Sequence, residues 1–402
     1  MSGGALAGLR VLELGTLIAG PFAARMFAEF GAEVVKVEDP GAGDPIRAWR
    51  VLHEGTSLWW YVQSRNKKSI ALNLKDPEAQ AIARRLALEA DVVIENYRPG
   101  VLEKWGLGWE SLRAERPSLI MLRLSGYGQS GPMRERPGFG AIGESMGGIR
   151  YVSGFPDRPP VRIGISIGDS IAALHGVIGA LMALRHRDAT GGRERGEGQM
   201  IDVALYEAVF NLMESTVPEY DHAGVVRART GGALPGIVPS NTYTCADGEA
   251  IVVAGNGDAI FRRLMLAIGR ADLADDPALA RNDGRVPRVA EIDSAIQDWC
   301  GVRGIDEALA VLTAADVPVS RIYSVADMFR DEQFAARGMI ERAPLPGGGT
   351  LAVPAVSPKL SATPGGTRWL GPRLGEHTDE VLSALGLSEA QLQRLRATGA
   401  IR

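Results

Sequence analysis

Cysteine is nearly absent: two of 402 residues. Cys245 and Cys300 form no C-x-x-C pair, which excludes a disulfide framework and argues against a thiolate-rich metal centre. The histidines, His53, His175, His186, His222 and His377, show no ligand spacing such as H-x-x-x-H. The net charge is −4 and no basic block occurs, so nothing in the chain suits a nucleic-acid backbone. A G-x-S-x-G elbow, the usual setting of a serine nucleophile, is missing. No apolar run approaches the ~20 residues that cross a bilayer, so no membrane partner is expected. The opening MSGGALAGLR lacks the charged region and long apolar core of a secretory signal, and a cytoplasmic protein is expected.

What is present is an α/β rhythm. An apolar strand at Leu9–Leu14 runs to Gly15, and a helix follows Gly20-Pro21, proline being suited to a first helical turn. Gly31 ends that helix and a second strand, Glu33–Val37, leads to Glu38-Asp39. This is a β-α-β unit with parallel strands. Further strands are expected at Ser69–Leu74, Asp91–Glu95 and Leu119–Ser125, with helices between them. The alternation predicts a Rossmann-like doubly wound parallel sheet. An apolar helix is expected over Ile171–Arg187, and an apolar helical segment from about Asp202 to Val217. Short strands near Asn241–Thr244 and Ala250–Ala254, with helices to about position 317, indicate a smaller α+β domain. The expected division is a large domain over 1–200, a linker helix over 201–224, a small domain over 225–325 and a C-terminal segment, 326–402, returning to the large domain.

Three chemistries are open on the residues alone. Dinucleotide binding needs G-x-G-x-x-G after the first strand. The chain has GTLIAGP, a G-x4-G spacing, which fits a tight turn feeding a helix better than a cofactor loop. The second candidate is Asp169 in VRIGISIGDSIAALH. An aspartate before a helix is a common N-cap, and local chemistry alone favours that reading. It can also be a covalent nucleophile. Gly164 and Gly168 would let a bulky substrate approach, and a helix beginning at Ser170 would offer amides to a developing oxyanion. His175 and His377 are read as packed or structural. The third is a set of cationic and amide side chains expected at strand ends: Asn66-Lys67-Lys68, Asn73-Leu74-Lys75, Asn96-Tyr97-Arg98 and Lys104. In a parallel sheet such loops meet at the binding crevice, where they suit a phosphate-bearing ligand, with Tyr97 available to stack on a ring.

Many segments, in order, resemble the class III coenzyme A transferases, the CaiB/BaiF or formyl-CoA transferase family. They include AGP at Ala19–Pro21, GAEVVKVE at Gly31–Glu38, GDPIR at Gly43–Arg47, NKKSIALNLK at Asn66–Lys75 and ENYRPG at Glu95–Gly100. SGYGQSGP at Ser125–Pro132, GDS at Gly168–Ser170, GQMIDVALYEAV at Gly198–Val209 and LGEHTDEVL at Leu374–Leu382 extend the likeness over nearly the whole chain. The resemblance implies that Asp169 attacks an acyl-CoA thioester, giving an aspartyl mixed anhydride and then an aspartyl-CoA thioester. It places CoA contacts at Ile18, Ala19, Leu72, Asn73, Leu74, Lys75, Asn96, Tyr97, Arg98 and Lys104, and Phe139 is taken as a further one. It implies an interlaced homodimer, acyl-CoA and carboxylate substrates, no metal and no permanently bound cofactor, CoA entering as part of the substrate. Gly231–Gly236 resembles a mobile loop that shields the anhydride from water.

Departures from the pattern narrow the activity. Formyl-CoA transferases carry Arg where this chain has Asp39, and Lys, Tyr and Glu where it has Pro137, Phe139 and Gly140, which argues against oxalate as acceptor. The racemase branch has a catalytic His where Phe139 stands, so transferase outranks α-methylacyl-CoA racemase. GFGAIGESMGG and GISIGDSIAALHGVIGAL look most like members that move CoA from succinyl-CoA to small dicarboxylates such as malate, citramalate or mesaconate. Arg47, Arg136, Arg162 and Arg229 are the candidates to pair with a remote carboxylate.

Overall fold

The structure is a computed structural model that describes residues 4–402. Six strands form one sheet: β1 (Arg10–Glu13), β2 (Glu33–Glu38), β3 (Lys67–Ala71), β4 (Val92–Glu95), β5 (Ile120–Ser125) and β6 (Met200–Ala204). All neighbours pair in parallel, in the order β3-β2-β1-β4-β5-β6. This is the doubly wound order in which the direction of winding reverses between β1 and β4.

The side-chain period of two sends alternate residues to opposite faces, so strands covered on both sides read as unbroken apolar runs. Leu12, Val37, Ile70, Val93 and Met121 face one core, shared with α2 (Pro77–Glu89) and the C-terminal helices. Val11, Val34, Val92, Ile94, Ile120 and Leu122 face the other, shared with α1 (Ala19–Glu29) and α4 (Ile167–Thr190). Two glycines let α4 come close to the sheet. A methyl at Gly176 would stand 2.9 Å from both Leu122 Cδ atoms, and one at Gly179 would stand 2.9 Å from Ile201 Cγ2.

Two expectations are corrected here. Met200–Ala204 is the sixth strand, and helix α5 starts only at Leu205 and ends at Phe210, so the segment from Asp202 to Val217 is not one helix. The apolar character of VALYEAV suits both states, and no Gly or Pro marks the change from one to the other. Helix α4 is 24 residues long and is apolar enough to cross a membrane by length and composition, contrary to the expectation that no run reaches that length. Half of its apolar window is buried, Ala172, Ala173, Val177 and Ala180 packing on the sheet, as in the core helix of a globular domain.

By contact density the chain divides into two compact units. One takes in the chain up to Ile149, Ile163–Gly224 and Gln333–Arg402; the other takes in Arg150–Arg162 and Val225–Glu332. The second unit is built on an antiparallel sheet of β7 (Ser240–Thr244), β8 (Ala250–Ala254) and β9 (Val319–Arg321), with helices packed around Ile251, Val253, Phe261 and Ile296. Cys245 and Cys300 are buried there as free thiols. In the first unit the C-terminal segment runs back to β3, where Ile401 bridges Leu72 and the Asn73 amide donates to Ala400 O.

Candidate active site

Where winding reverses, the loops after β1 and β4 diverge and leave a crevice. Asn96, just past β4, closes its floor. Its Oδ1 accepts from the Thr16 amide at 2.8 Å and its Nδ2 donates to Thr16 O at 2.9 Å. Gly15 and Gly20 leave room for that amide: a methyl at Gly15 would lie 2.8 Å from Asn96 Oδ1, and one at Gly20 3.2 Å. The G-x4-G spacing thus serves a side-chain clamp. Ile18 and Ala19 are buried at the start of α1, where Gln63 Nε2 donates to Ile18 O.

Beneath the crevice lies a buried ion network. Lys36 Nζ reaches Glu13 Oε1 at 2.8 Å, Asp44 Oδ2 at 2.9 Å and Gly15 O at 2.8 Å. Lys67 Nζ takes the other Glu13 oxygen at 2.7 Å and donates to Pro21 O. Burial outweighs its partners, bringing the Lys67 pKa down to about 8. Asp44 also accepts from the Leu17 amide, which holds that residue at φ 65°. Sequence reasoning passed over Glu13, Thr16 and Asp44. The legible signal was a carboxylate at the end of the apolar run RVLEL, since a buried charge requires a partner.

A cleft of about 210 Å³ opens above this network, lined among others by Thr16, Asp39, Gly43, Leu72, Asn73, Leu74, Lys75, Tyr97 and Trp105. The structure therefore gathers on one cleft the loops after β2, β3 and β4. Leu72 and Leu74 bury their side chains in the core below and hold their loop to it. Tyr97 packs edge-on against Trp105 with ring centroids 5.2 Å apart. Burial pushes the Tyr97 phenol up to about 12. Asn73 caps its own turn, Oδ1 accepting from the Lys75 amide. Lys75 is exposed on the rim of this cleft; Arg98 and Lys104, from the loop and short helix after β4, are exposed too. None of the three makes an ion pair among the described residues.

The fourth cationic cluster is a correction. Asn66, Lys67 and Lys68 lie at the amino end of the sheet's β3 and are paired: Asn66 with Gly366 O and the Arg368 amide, Lys67 with Glu13, Lys68 with Glu33 and Glu380. The cluster stands at the start of this strand both as expected and as found, so it lies at the sheet edge opposite the cleft. Arg47 is likewise taken. Its guanidinium forks onto Glu38 at 2.7 Å and 2.7 Å and stacks over Trp60 at 3.5 Å. Arg229 bonds Tyr151 O and Phe155 O. Arg136 and Arg162 are exposed.

Asp169 is not a cap. Ser166 holds the cap position of α4, without a side-chain cap bond, and Asp169 lies within the first turn, half-buried. The helix runs against the strand direction: Gly176 lies over Leu122, and Arg187 near its far end pairs with Asp91, which precedes β4, at 2.8 Å. Seven residues of helix before Gly176 span about 10 Å, and three residues of strand beyond Leu122 span about 10 Å. Asp169 thus stands level with the end of β5, on the edge of the sheet that carries the cleft.

The carboxylate lies against helix α3 (Gly140–Met146). A methyl built on Gly140 would stand 2.0 Å from Asp169 Oδ2 and 2.7 Å from its Cγ. One on Gly168 would stand 2.9 Å from Gly140 O and 3.1 Å from Glu144 Cγ. Gly168 is buried in this helix crossing and offers no approach to substrate, whereas Gly164 is exposed with open space beside it. Phe139, directly before α3, is exposed. His175 bonds Ile171 O and Asn211 Oδ1, and His377 Nδ1 accepts from the Ser69 amide, both structural as expected.

A parallel sheet with a polar cleft at its winding reversal, Lys75 on its rim, and a carboxylate at a helix start on the same edge suit the handling of nucleotide-linked substrates. The chain belongs to CoA-transferase family III, whose family model matches residues 6–378, as the resemblance implied. It is 50% identical over 391 residues to a succinyl-CoA–D-citramalate CoA-transferase of Chloroflexus aurantiacus, covering 97% of this chain and 96% of that one. It is 36% identical over 389 residues to a succinate–glutarate CoA-transferase of Agrobacterium fabrum, covering 94% and 95%. A crystal structure of a CaiB/BaiF family protein from Brucella suis, 34% identical, superposes with a TM-score of 0.83 over 96% of this chain and 100% of that one.

Proposed function

We propose that this chain transfers CoA from succinyl-CoA to a small dicarboxylate of the citramalate, malate or mesaconate type, with Asp169 as the covalent nucleophile. The observation that carries this reading is the half-buried Asp169 on the same sheet edge as a cleft with unpaired Lys75 on its rim. Relatives named for succinyl-CoA and D-citramalate, L-malate or mesaconate support the choice of substrates.

In the proposed reaction an Asp169 oxygen attacks the thioester carbon, the C–S bond breaks and CoA leaves as thiolate. The thiolate then attacks the Asp169 carbonyl of the mixed anhydride, its C–O bond breaks and succinate departs, leaving an aspartyl-CoA thioester. The acceptor carboxylate attacks that thioester and expels CoA thiolate. The thiolate takes the acceptor acyl group from the second anhydride and regenerates the Asp169 carboxylate. Two easier displacements thereby replace one hard exchange in each direction. The amides in the first turn of α4 would be available to the developing oxyanion.

Lys75, Arg98 and Lys104 are the proposed partners of the CoA phosphates, with Tyr97 against the ring and the backbone of Ile18, Ala19 and Leu72–Leu74 shaping the cleft. Phe139 would flank the pantetheine arm, and CoA would enter only as substrate, with no resident cofactor. Such an enzyme would work in the cytoplasm as an interlaced homodimer, each copy with a large and a small domain. The outer face of α4, with Leu174, Ile178, Leu181 and Met182 exposed, is a surface that a second copy would cover.

The test is incubation with succinyl-CoA and each acceptor acid, read by mass spectrometry. A new acyl-CoA with ping-pong kinetics is expected from the parent and none from Asp169→Ala, which keeps its fold and its CoA affinity. Transfer retained by Asp169→Ala or Asp169→Asn overturns the covalent route. Deuterium wash-in at the α-carbon without transfer would instead identify a racemase.

A further inference from the structure

Resting on that reading of Asp169, one contact carries the site further. Asp169 Oδ2 occupies the place where position 140 would carry its Cβ, with 2.0 Å between the oxygen and the methyl site. Non-bonded atoms never approach so closely, so on this backbone a methyl at 140 displaces the carboxylate from the rotamer it holds. The main-chain nitrogen of Asp169 is 3.3 Å from the same point, which fixes the carboxylate and the start of its helix against one α-carbon. The neighbouring glycine behaves differently. A methyl at Gly168 meets the Gly140 carbonyl at 2.9 Å and Glu144 Cγ at 3.1 Å, so it would part the two helices.

We propose that Gly140 is a positioning residue for the transfer: the missing side chain sets the rotamer from which Asp169 attacks the thioester. A methyl at 140 turns the carboxylate away from the start of α3. The attacking oxygen is displaced while the phosphate- and ring-binding loops after β3 and β4 stay untouched. Because the three atoms nearest a methyl at 140 all belong to Asp169, its size acts on kcat and leaves the KM for acyl-CoA alone. A misplacement of about 1 Å at a reacting atom costs on the order of a hundredfold in rate.

The experiment combines kinetics with a stability cycle on the full chain. Gly140→Ala is expected to lower kcat by about a hundredfold with KM for succinyl-CoA within about threefold of the parent. Gly140→Ala, Asp169→Ala and the double variant are also compared by thermal unfolding. In the parent, the methyl at 140 clashes with the carboxylate. In the Asp169→Ala background the 2.0 Å clash is gone, and what remains is the 3.3 Å approach to the main-chain nitrogen of position 169 and the better helix propensity of Ala. The loss in Tm from Gly140→Ala should therefore be larger in the parent by roughly 1–3 °C.

Additive Tm changes overturn the contact itself, and this arm works even if Gly140→Ala proves too unstable to assay. Coupled Tm values with kcat within about twofold of the parent overturn the positioning role, as does a change confined to KM. If Asp169→Ala retains transfer, the covalent reading fails instead, and the stability cycle still reports the contact.

Discussion

Asn96 holds Thr16 by both of its amide atoms, joining the loop after β4 to the loop after β1 across the line where the winding of the sheet reverses. This clamp sets the width of the crevice beneath the cleft. Asn96→Ala leaves the Thr16 amide and carbonyl without partners, at a cost of about 1–3 kcal/mol. The KM for acyl-CoA should rise about tenfold, with little change in kcat, as steady-state kinetics will read.

The exposed cations act on binding alone. Lys75→Ala, Arg98→Ala and Lys104→Ala should each raise the KM for acyl-CoA by about three- to tenfold and leave kcat unchanged, because phosphate contacts are equal in ground and transition states. The effect should shrink at high salt, where exposed charges are screened. Kinetics at two ionic strengths checks both statements.

Glu95 supplies the pH dependence. It is fully buried at the end of β4, accepting from the Tyr97 amide at 2.7 Å and pairing with Arg123 at 2.7 Å. Burial pushes its carboxyl up to about 7, the Arg123 charge and the Tyr97 amide offsetting only part of the shift. A carboxyl with a raised folded pKa gives stability that is present below its unfolded value of 4.5 and lost as pH rises through about 7. The loss is roughly 3 kcal/mol at most, at about 1.4 kcal/mol for each pH unit. Urea unfolding between pH 4.5 and 7 should show this decline, and Glu95→Gln should flatten it.

Gly176 tests the close approach of α4. A methyl there would meet both Leu122 Cδ atoms at 2.9 Å. Gly176→Ala should destabilise the protein by about 1–3 kcal/mol through overpacking, in spite of the better helix propensity of Ala. Chemical denaturation measures the change. The equivalent substitution at Gly386, where nothing lies within 4 Å but φ is +93°, should cost energy through the backbone instead.

How far the sequence could be read follows from the range of each interaction. Strands β1, β4 and β5 were legible because two buried faces demand runs of Val, Ile, Leu and Met; β3, KKSIA, was read two residues late. Strand β6 was not legible, because Ala204 passes into Leu205 without a breaking residue. Leu72–Lys75 and Tyr97 were read at strand ends, and they share a cleft. Lys67 was misplaced because a lysine beside a strand reads as exposed, and only the fold brings Glu13 to it. Asp169 was read as a cap from its immediate neighbours, whereas the residue that sets its position, Gly140, is distant in sequence and carries no side chain to announce the contact.

The bridge between Leu72 and Ile401, with the Asn73 amide bonded to Ala400 O, has a consequence for biosynthesis. One wall of the cleft is fastened by a segment that leaves the ribosome hundreds of residues after the loop it secures. Until that later segment has been made, the wall that carries Leu72 and Asn73 lacks this bridge and this bond. The loop over Leu72–Lys75 is thus held in place only after the segment around Ala400 and Ile401 has folded back onto it.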